Sequence, residues 1–343
     1  MVAGAGVATI HDVALAAGVS KTTVSRYLNN RIELPAATSA RIDAAIAKHD
    51  YRPNLLARRL STGKTDAIGL VVPEIREPFF AELASAVEDE ADRHGYTIFI
   101  SSTRSDRGRE IASLNRLRDH HVDGLIMLTN TPDDGSLAAE IGKRRNVVLL
   151  DEDIPGVKVP RVFVENTEGA RRATQHLIAR GHRAIAFLGG PLGLFTSEER
   201  FAGYAAALRE AGLGVEGQHL HRGSFSPDLA EQAVVAMAAA RTPPTALFAS
   251  SDYLAIGAMR GLRRAGVAVP RDMSLVSFDD TPLGAMLTPA LTAIQQPIEA
   301  LGRHGFQALY ALMQRKPAPK LTRLPVTLIE RESVASPRAR GRL

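Results

Sequence analysis

The chain has 343 residues, more than one compact domain usually holds, and with 45% hydrophobic and 23% charged residues it reads as an ordinary globular protein of two or three domains. It has no cysteine, which excludes disulfides and thiolate metal sites; it has no apolar run long enough for a membrane span, and its start, MVAGAGVATIHD, lacks the basic and apolar regions of a secretory signal, so the cytoplasm is the expected location. The formal charge of +5 is uneven: residues 1–66 hold nine Lys and Arg against five Asp and Glu, the tail from Ala335 adds Arg338, Arg340 and Arg342, and the long stretch between is slightly acidic, which suggests a polyanion partner for the N-terminal module.

The first predicted elements lie in TIHDVALAAGVSKTTVSRYLNN, which divides at Gly18. Before it, Ile10, Val13, Ala14 and Ala17 recur at helical spacing; after it, Val24 and Leu28 lie one turn apart. Ser20 is a good N-cap for the second helix, and Gly18 tolerates the backbone angles of a tight turn between helices. A third helix is expected in ATSARIDAAIAKHDY, with Ile42, Ala45, Ile46 and His49 along one face. Three short helices of this kind make a helix-turn-helix domain, whose second helix enters the major groove. Lys21, Thr22 and Arg26 are the base-reading candidates, because Lys and Arg donate to guanine O6 and N7 and Thr offers a hydroxyl or a methyl. Ser20, Thr23, Ser25 and Asn29 are short polar side chains suited to phosphate oxygens.

The next segment, YRPNLLARRLSTGKT, is apolar and basic. Pro53 opens it, Asn54 can cap a short helix and Gly63 ends it. Two turns of helix are too few to be stable alone. Together with ATIHDVALAAGVSKTTVSRYLN and the following DAIGLVVPEIREPFFAEL, this stretch resembles the lactose-repressor (LacI/GalR) family of bacterial transcription regulators, and the resemblance runs from about Ala8 to Glu332. It implies that Lys21, Thr22 and Arg26 read bases and that Thr9 joins the phosphate contacts. It also implies that residues 52–66 hold a hinge helix that folds on DNA, with Asn54, Ala57, Arg58 and Leu60 at the minor groove and Leu60 wedged into a base step.

From Ala67, apolar runs (AIGLVV, YTIFIS, DGLIML, NVVLL, RVFV, AIAFLGG, ALFAS, SLVSF, LTAIQQ) alternate with amphipathic stretches such as FFAELASAVEDEADRHG, RFAGYAAALREAG and DYLAIGAMRGLRRAG. Alternating strand and helix means parallel sheets covered on both faces, with ligands beyond the strand C-termini. No G-x-G-x-x-G opens a helix after a strand, and no phosphate-binding loop, H-E-x-x-H or nucleophile elbow is present. An enzyme, a cofactor and a metal site are therefore not expected, and no catalytic residue is assigned.

The resemblance implies instead a periplasmic-binding-protein-like domain over 67–334, two lobes around a small-molecule cleft. The N-lobe is expected at about 67–164 and 294–318, the C-lobe at about 165–293 and 319–334, after a DNA-binding domain over 1–51. The effector candidates it implies are Phe79 and Phe80 for stacking, Asp151 and Asp153 after a strand, Arg200, Ser251, and Asp279; the family usually has Asn where Glu77 stands. Arg200 and Asp279 are alternatively a structural ion pair. Carboxylates with one Arg and an aromatic suit a neutral polyhydroxylated ligand, a sugar or sugar derivative, with a purine or nucleoside as the alternative. The expected protein is a repressor that binds a pseudo-palindromic operator as a homodimer in the cytoplasm, associated with the nucleoid. The tail, 335–343, lacks the Leu heptads of a tetramerising helix and is expected to be disordered.

Overall fold

Three helices at the N-terminus close around seven buried side chains: Val13, Ala14, Ala17, Val24, Ile42, Ala45 and Tyr51. The computed structural model describes residues 8–28, 32–51, 64–119, 121–216 and 218–338, in two units that divide between Thr65 and Asp66. In the first unit, α1 (Ile10–Ala17) ends at Gly18, whose φ of 65° is the left-handed turn conformation that a β-carbon disfavours. α2 (Lys21–Leu28) buries only Val24, and α3 (Ala36–Lys48) buries Ile42 and Ala45. His49, expected on the same face, is the C-cap of α3. Asn29 and the hinge candidates Asn54, Ala57, Arg58 and Leu60 lie outside the described residues.

The second unit holds two six-stranded sheets. The first lobe runs β1 (Ala67–Val72), α4 (Pro78–Arg93), β2 (Thr97–Ser102), α5 (Arg107–Arg118), β3 (Gly124–Met127), α6 (Ser136–Ile141), β4 (Val147–Leu150) and β5 (Arg161–Val164). The second runs α7 (Asn166–Ala179), β6 (Ile185–Gly189), α8 (Phe195–Glu210), β7 (Leu220–Arg222), α9 (Pro227–Ala238), β8 (Ala246–Ala249), α10 (Asp252–Arg264), β9 (Ser274–Asp279), α11 (Pro282–Met286) and β10 (Thr292–Gln295). The chain then returns through α12 (Ile298–Met313) to β11 (Leu321–Leu324) in the first sheet and crosses again to β12 (Thr327–Ile329) in the second. The sheet orders are β11-β5-β4-β3-β1-β2 and β12-β10-β9-β8-β6-β7. Every pairing is parallel except β10 with β12. The strand interiors are apolar and buried in β1, β3, β4, β6 and β8, as parallel sheets covered on both faces require.

Two lobe boundaries differ from those expected. Ile294 pairs with Phe278 in the second sheet, so the chain returns to the first lobe after Gln295 and not at 294. Residues 321–324, expected in the C-lobe, pair with 161–164 in the first sheet. The apolar content of these short strands is the same whichever sheet takes them; pairing partners decide. The start of the tail is also placed. The Ala335 carbonyl accepts from His182 Nε2 at 2.8 Å and from Ser274 Oγ at 3.0 Å, and Arg338 lies 3.6 Å from Asp272. The His182 and Ser274 side chains therefore hold Ala335, at the start of a tail expected to be free; the last five residues lie outside the described residues.

Candidate nucleic-acid interface and ligand cleft

α2 is held from beneath and bare on top. Val24 is fully buried against α1 and α3, and the Tyr27 hydroxyl donates to Asp43 of α3 at 3.0 Å. Lys21, Thr22 and Arg26 are exposed. Ser20 Oγ accepts from the Thr23 backbone N–H at 3.0 Å, which caps the helix, and the two hydroxyls share a 2.8 Å hydrogen bond. Only one hydroxyl proton is used between them, so the pair keeps one donor for an outside acceptor. Ser25 is half-buried. Thr9 differs: its backbone N–H and its hydroxyl both donate to Asp12 at 2.8 Å, closing the start of α1. Those bonds hold the Asp12 carboxyl below its ordinary range, and the Thr9 proton is already spent.

The second candidate site lies where the C-terminal ends of the two sheets face each other. A cleft of about 750 Å³ opens there, lined by Glu77, Arg104 and Asn130 on one side and Arg222, Phe225 and Tyr253 on the other, among others. Beneath it sits Arg200 of α8, buried at 4% exposure. Its Nε donates to Asn166 Oδ1 at 2.8 Å, its Nη1 to the Ser250 carbonyl at 2.7 Å, and its guanidinium lies 3.9 Å over the Phe278 ring. Asp279 Oδ1 is 3.6 Å from Nη1, an ion pair longer than a hydrogen bond. Asp279 accepts instead from Gln296 Nε2 at 2.8 Å and from the Asp252 backbone N–H at 3.2 Å. Asp252 in turn accepts from Ser277, Thr281 and the Thr281 backbone, which fixes the end of β9.

Three further acids face this centre. Asp151 follows β4 with a φ of 56°, and its Oδ1 is buried without a hydrogen-bond partner. Burial pushes its pKa up to about 6, against the attraction of Arg200. Glu77, the residue before α4, is buried, and burial followed by repulsion from Asp279 and Asp151 drives it well above the ordinary carboxylate range. Asp279 is raised to about 8, chiefly by burial, with Arg200 opposing and Asp252 adding. Glu152 is buried beside them and reaches across the lobes: it accepts from Thr196 Oγ1 at 2.9 Å and from the Thr196 backbone at 3.3 Å, and burial lifts it to about 8.

Of the seven effector candidates, Asp151, Arg200 and Asp279 come together. Phe79 and Phe80 do not line the cleft mouth: both are buried at 4% in the first lobe's core, edge to face at 5.3 Å. Both belong to the buried cluster that also holds Leu83 and Val87 of the same helix. The aromatics at the mouth are Phe225 and Tyr253. Asp153 pairs with Arg161 at 2.7 Å, which takes its charge away from the centre. Ser251 caps α10, accepting from the Leu254 N–H at 3.1 Å. Sequence reasoning missed Glu152, Asn166, Gln296, Phe225 and Tyr253. Glu152 stood beside the chosen Asp151; the others carried no local signal. At Gly190 an added Cβ would lie 2.3 Å from both Ser197 Oγ and the Phe225 ring, so this glycine admits their close approach.

Comparison with known proteins covers both units. The family described as "Bacterial regulatory proteins, lacI family" matches residues 9–54, and "Periplasmic binding proteins and sugar binding domain of LacI family" matches residues 65–332. The ribose operon repressor of Halalkalibacterium halodurans is 36% identical, with 95% of this chain and 96% of that protein aligned. The transcriptional repressor CytR of Escherichia coli K12 is 33% identical over 90% of each chain. Among solved structures, the Lac repressor dimer bound to operator and the anti-inducer ONPF superposes with a TM-score of 0.85 at 28% identity, covering 96% of this chain and 99% of that one. The CelR–cellobiose complex gives a TM-score of 0.72 at 30% identity, with coverage of 95% and 99%. These relatives are transcriptional regulators and not enzymes.

Proposed function

The chain belongs to the LacI family of bacterial regulatory proteins, and on that premise we propose that it is a repressor that binds a two-fold operator as a homodimer in the cytoplasm, at the nucleoid, and releases or grips DNA according to a small molecule in the cleft. The observation that carries this reading is α2: it exposes Lys21, Thr22 and Arg26 on a helix anchored by Val24 and Tyr27. A helix so anchored presents its polar face without reorganising. Ser20 and Thr23 are the phosphate contacts this geometry favours, with Ser25 and Asn29 beside them and Thr9 contributing only if it leaves Asp12. Asn54, Ala57, Arg58 and Leu60 keep the hinge role, Leu60 as the wedge.

Two surfaces support the dimer. β2 is a sheet edge whose Phe99 and Ile100 are 50% and 44% exposed. A groove of about 450 Å³ in the second lobe is lined by Ile256, Met259, Val267 and Leu287, among others. Exposed apolar edges of this kind mark association. A sugar or sugar derivative is the proposed effector class, contacted by Asp151, Arg200 and Asp279, and a nucleoside remains in the screen because Phe225 and Tyr253 sit at the mouth.

The test is a gel shift on DNA from the protein's own upstream region. Arg26→Ala should cost about 1–3 kcal/mol on the preferred site and relax discrimination at one base pair per half-site. An equal loss on all sequences would make Arg26 a phosphate contact, and no sequence preference in the parent protein would overturn the repressor reading. Thermal-shift screening against sugars and nucleosides identifies the effector, since a ligand adds RT ln(1 + [L]/Kd) of stability.

A further inference from the structure

We propose that the effector carries a protonated amine, held by Glu77, Asp151 and Asp279. The inference rests on reading the cleft as the effector site and narrows the chemistry that site accepts. Within the buried cluster Arg200 faces the three carboxylates, and its guanidinium already donates to Asn166 and to the Ser250 carbonyl; at the cleft mouth stand Arg104, Arg76, which pairs with Glu74, and Arg222, which pairs with Glu198. Asp151 Oδ1 is buried without a hydrogen-bond partner, and Glu77 makes no side-chain hydrogen bond among the described residues. Gln296, 3% exposed, gives its Nε2 to Asp279 and leaves its Oε1 buried and unpartnered beside that carboxylate. The buried cluster therefore holds carboxylate and amide oxygens that no donor reaches, and more negative than positive side chains.

A neutral hydroxyl brings one donor and two lone pairs that need donors of their own. A protonated amine brings three donors, no acceptor and the missing charge. A carboxylate buried without a counter-ion takes up a proton instead. Burial raises Glu77, Asp151 and Asp279; neighbouring acids add to the shift at Glu77 and Asp279, Arg200 opposes it at all three, and the Gln296 hydrogen bond also opposes it at Asp279. An entering cation displaces those protons, so its binding is accompanied by proton release, which a neutral polyol does not require.

The shared chemistry has two sources, an amino sugar or an alkyl amine, and matched pairs separate them. The full-length protein is titrated calorimetrically with D-glucosamine and D-glucose, D-galactosamine and D-galactose, and putrescine and 1,4-butanediol, each in two buffers of different ionisation enthalpy. The expected result is that in at least one pair the amine binds at least about tenfold more tightly than its neutral partner, with protons released, as one charge-assisted hydrogen bond implies. A preference within a sugar pair assigns an amino sugar; one confined to putrescine assigns an alkyl amine. Glu77→Gln should reduce the preference about tenfold in the same pair. The proposal is overturned if every neutral member binds as tightly as its amine, or if no amine binds. A neutral sugar that binds without an amine preference and alters operator affinity would overturn this proposal and leave the effector reading standing. An amine that binds preferentially and leaves operator affinity unchanged would overturn the reading of the cleft as the effector site, and the amine effector with it.

Discussion

Asp279 holds a φ of 109° at the end of β9, and Asp280 and Asp151 follow at 57° and 56°. Residues with side chains rarely occupy this region, and each costs of order 1–3 kcal/mol that the surroundings must offset. Around Asp279 they do so through Gln296, the Asp252 backbone and the Arg200 field; Asp280 is gripped by Arg331 and Gln295. Because effector and operator binding are linked through the same protein, Asp279→Ala should leave operator affinity within about threefold of the parent while abolishing effector response. Melting curves and operator titrations on one sample decide: a variant that melts far lower and loses operator binding as well makes Asp279 a structural partner of Arg200. Glu152 gives a pH prediction. Its folded pKa, about 8, lies above the ordinary 4.5, so the folded state holds this proton more tightly. Its stabilising contribution is full below about pH 4.5 and is lost as pH rises through about 8. The melting midpoint should therefore fall between pH 5 and 9, and Glu152→Gln should flatten the fall by several degrees, since about 1 kcal/mol moves the midpoint by roughly 2–4 °C at this size. An unaltered slope in the variant would remove Glu152 as its source.

Among the helices of the second lobe, α7 and α8 approach closely at a glycine. A Cβ added at Gly203 would lie 2.1 Å from the Thr167 carbonyl oxygen and 2.9 Å from the Ala170 Cβ. α9 and α10 repeat the device: at Gly257 the same atom would lie 2.2 Å from the Pro227 carbonyl oxygen. Backbone cannot yield as a flexible side chain does. Gly203→Ala should thus destabilise the lobe by about 1–3 kcal/mol or more, read as a lower denaturation midpoint; a midpoint equal to the parent's would mean the helices separate without cost. α8 also carries Arg200 and the Thr196 partner of Glu152, so such a shift at its crossing should disturb the cleft while α2 keeps its own core.

At the scale of the whole molecule, the lobes are joined by more than three chain crossings. Arg323 of β11 makes two hydrogen bonds, at 2.7 and 3.1 Å, to Glu199 of α8, and lies 4.5 Å over Phe163, whose ring meets Phe195 at 5.0 Å. With Glu152 on Thr196, these contacts form a seam that any rotation of the lobes must remake. The exposed edge of β2 carries the remaining prediction. If β2 forms the proposed dimer, Phe99→Glu should leave a monomer in sedimentation, because a charge on an apolar edge is a strong barrier to pairing, and should weaken operator binding sharply, since each monomer would read one half-site. A variant that sediments as the parent does would exclude β2 from the interface.

The helix-turn-helix and the alternation of strands and helices were legible in the residues, because their signals are local: Gly18 at the turn, Ser20 at the cap, Val24 one turn from Leu28, and apolar runs bounded by turn residues. The short strands β7, β11 and β12 were not, being three or four residues with no continuous buried run. In the cleft, Asp151, Arg200 and Asp279 were named through a family likeness and their positions at strand and helix ends. The rest was decided by partners distant in the chain. Asp153 is drawn off by Arg161, eight residues on; Glu152 finds Thr196, 44 residues on; Arg323 finds Glu199 across 124 residues. Phe79 and Phe80 look alike in sequence whether they face a ligand or a core. Periodicity and caps fix local conformation, and with it the fold class; which charge meets which, and which aromatic faces the cleft, depends on how two sheets pack, and no short window of residues contains that.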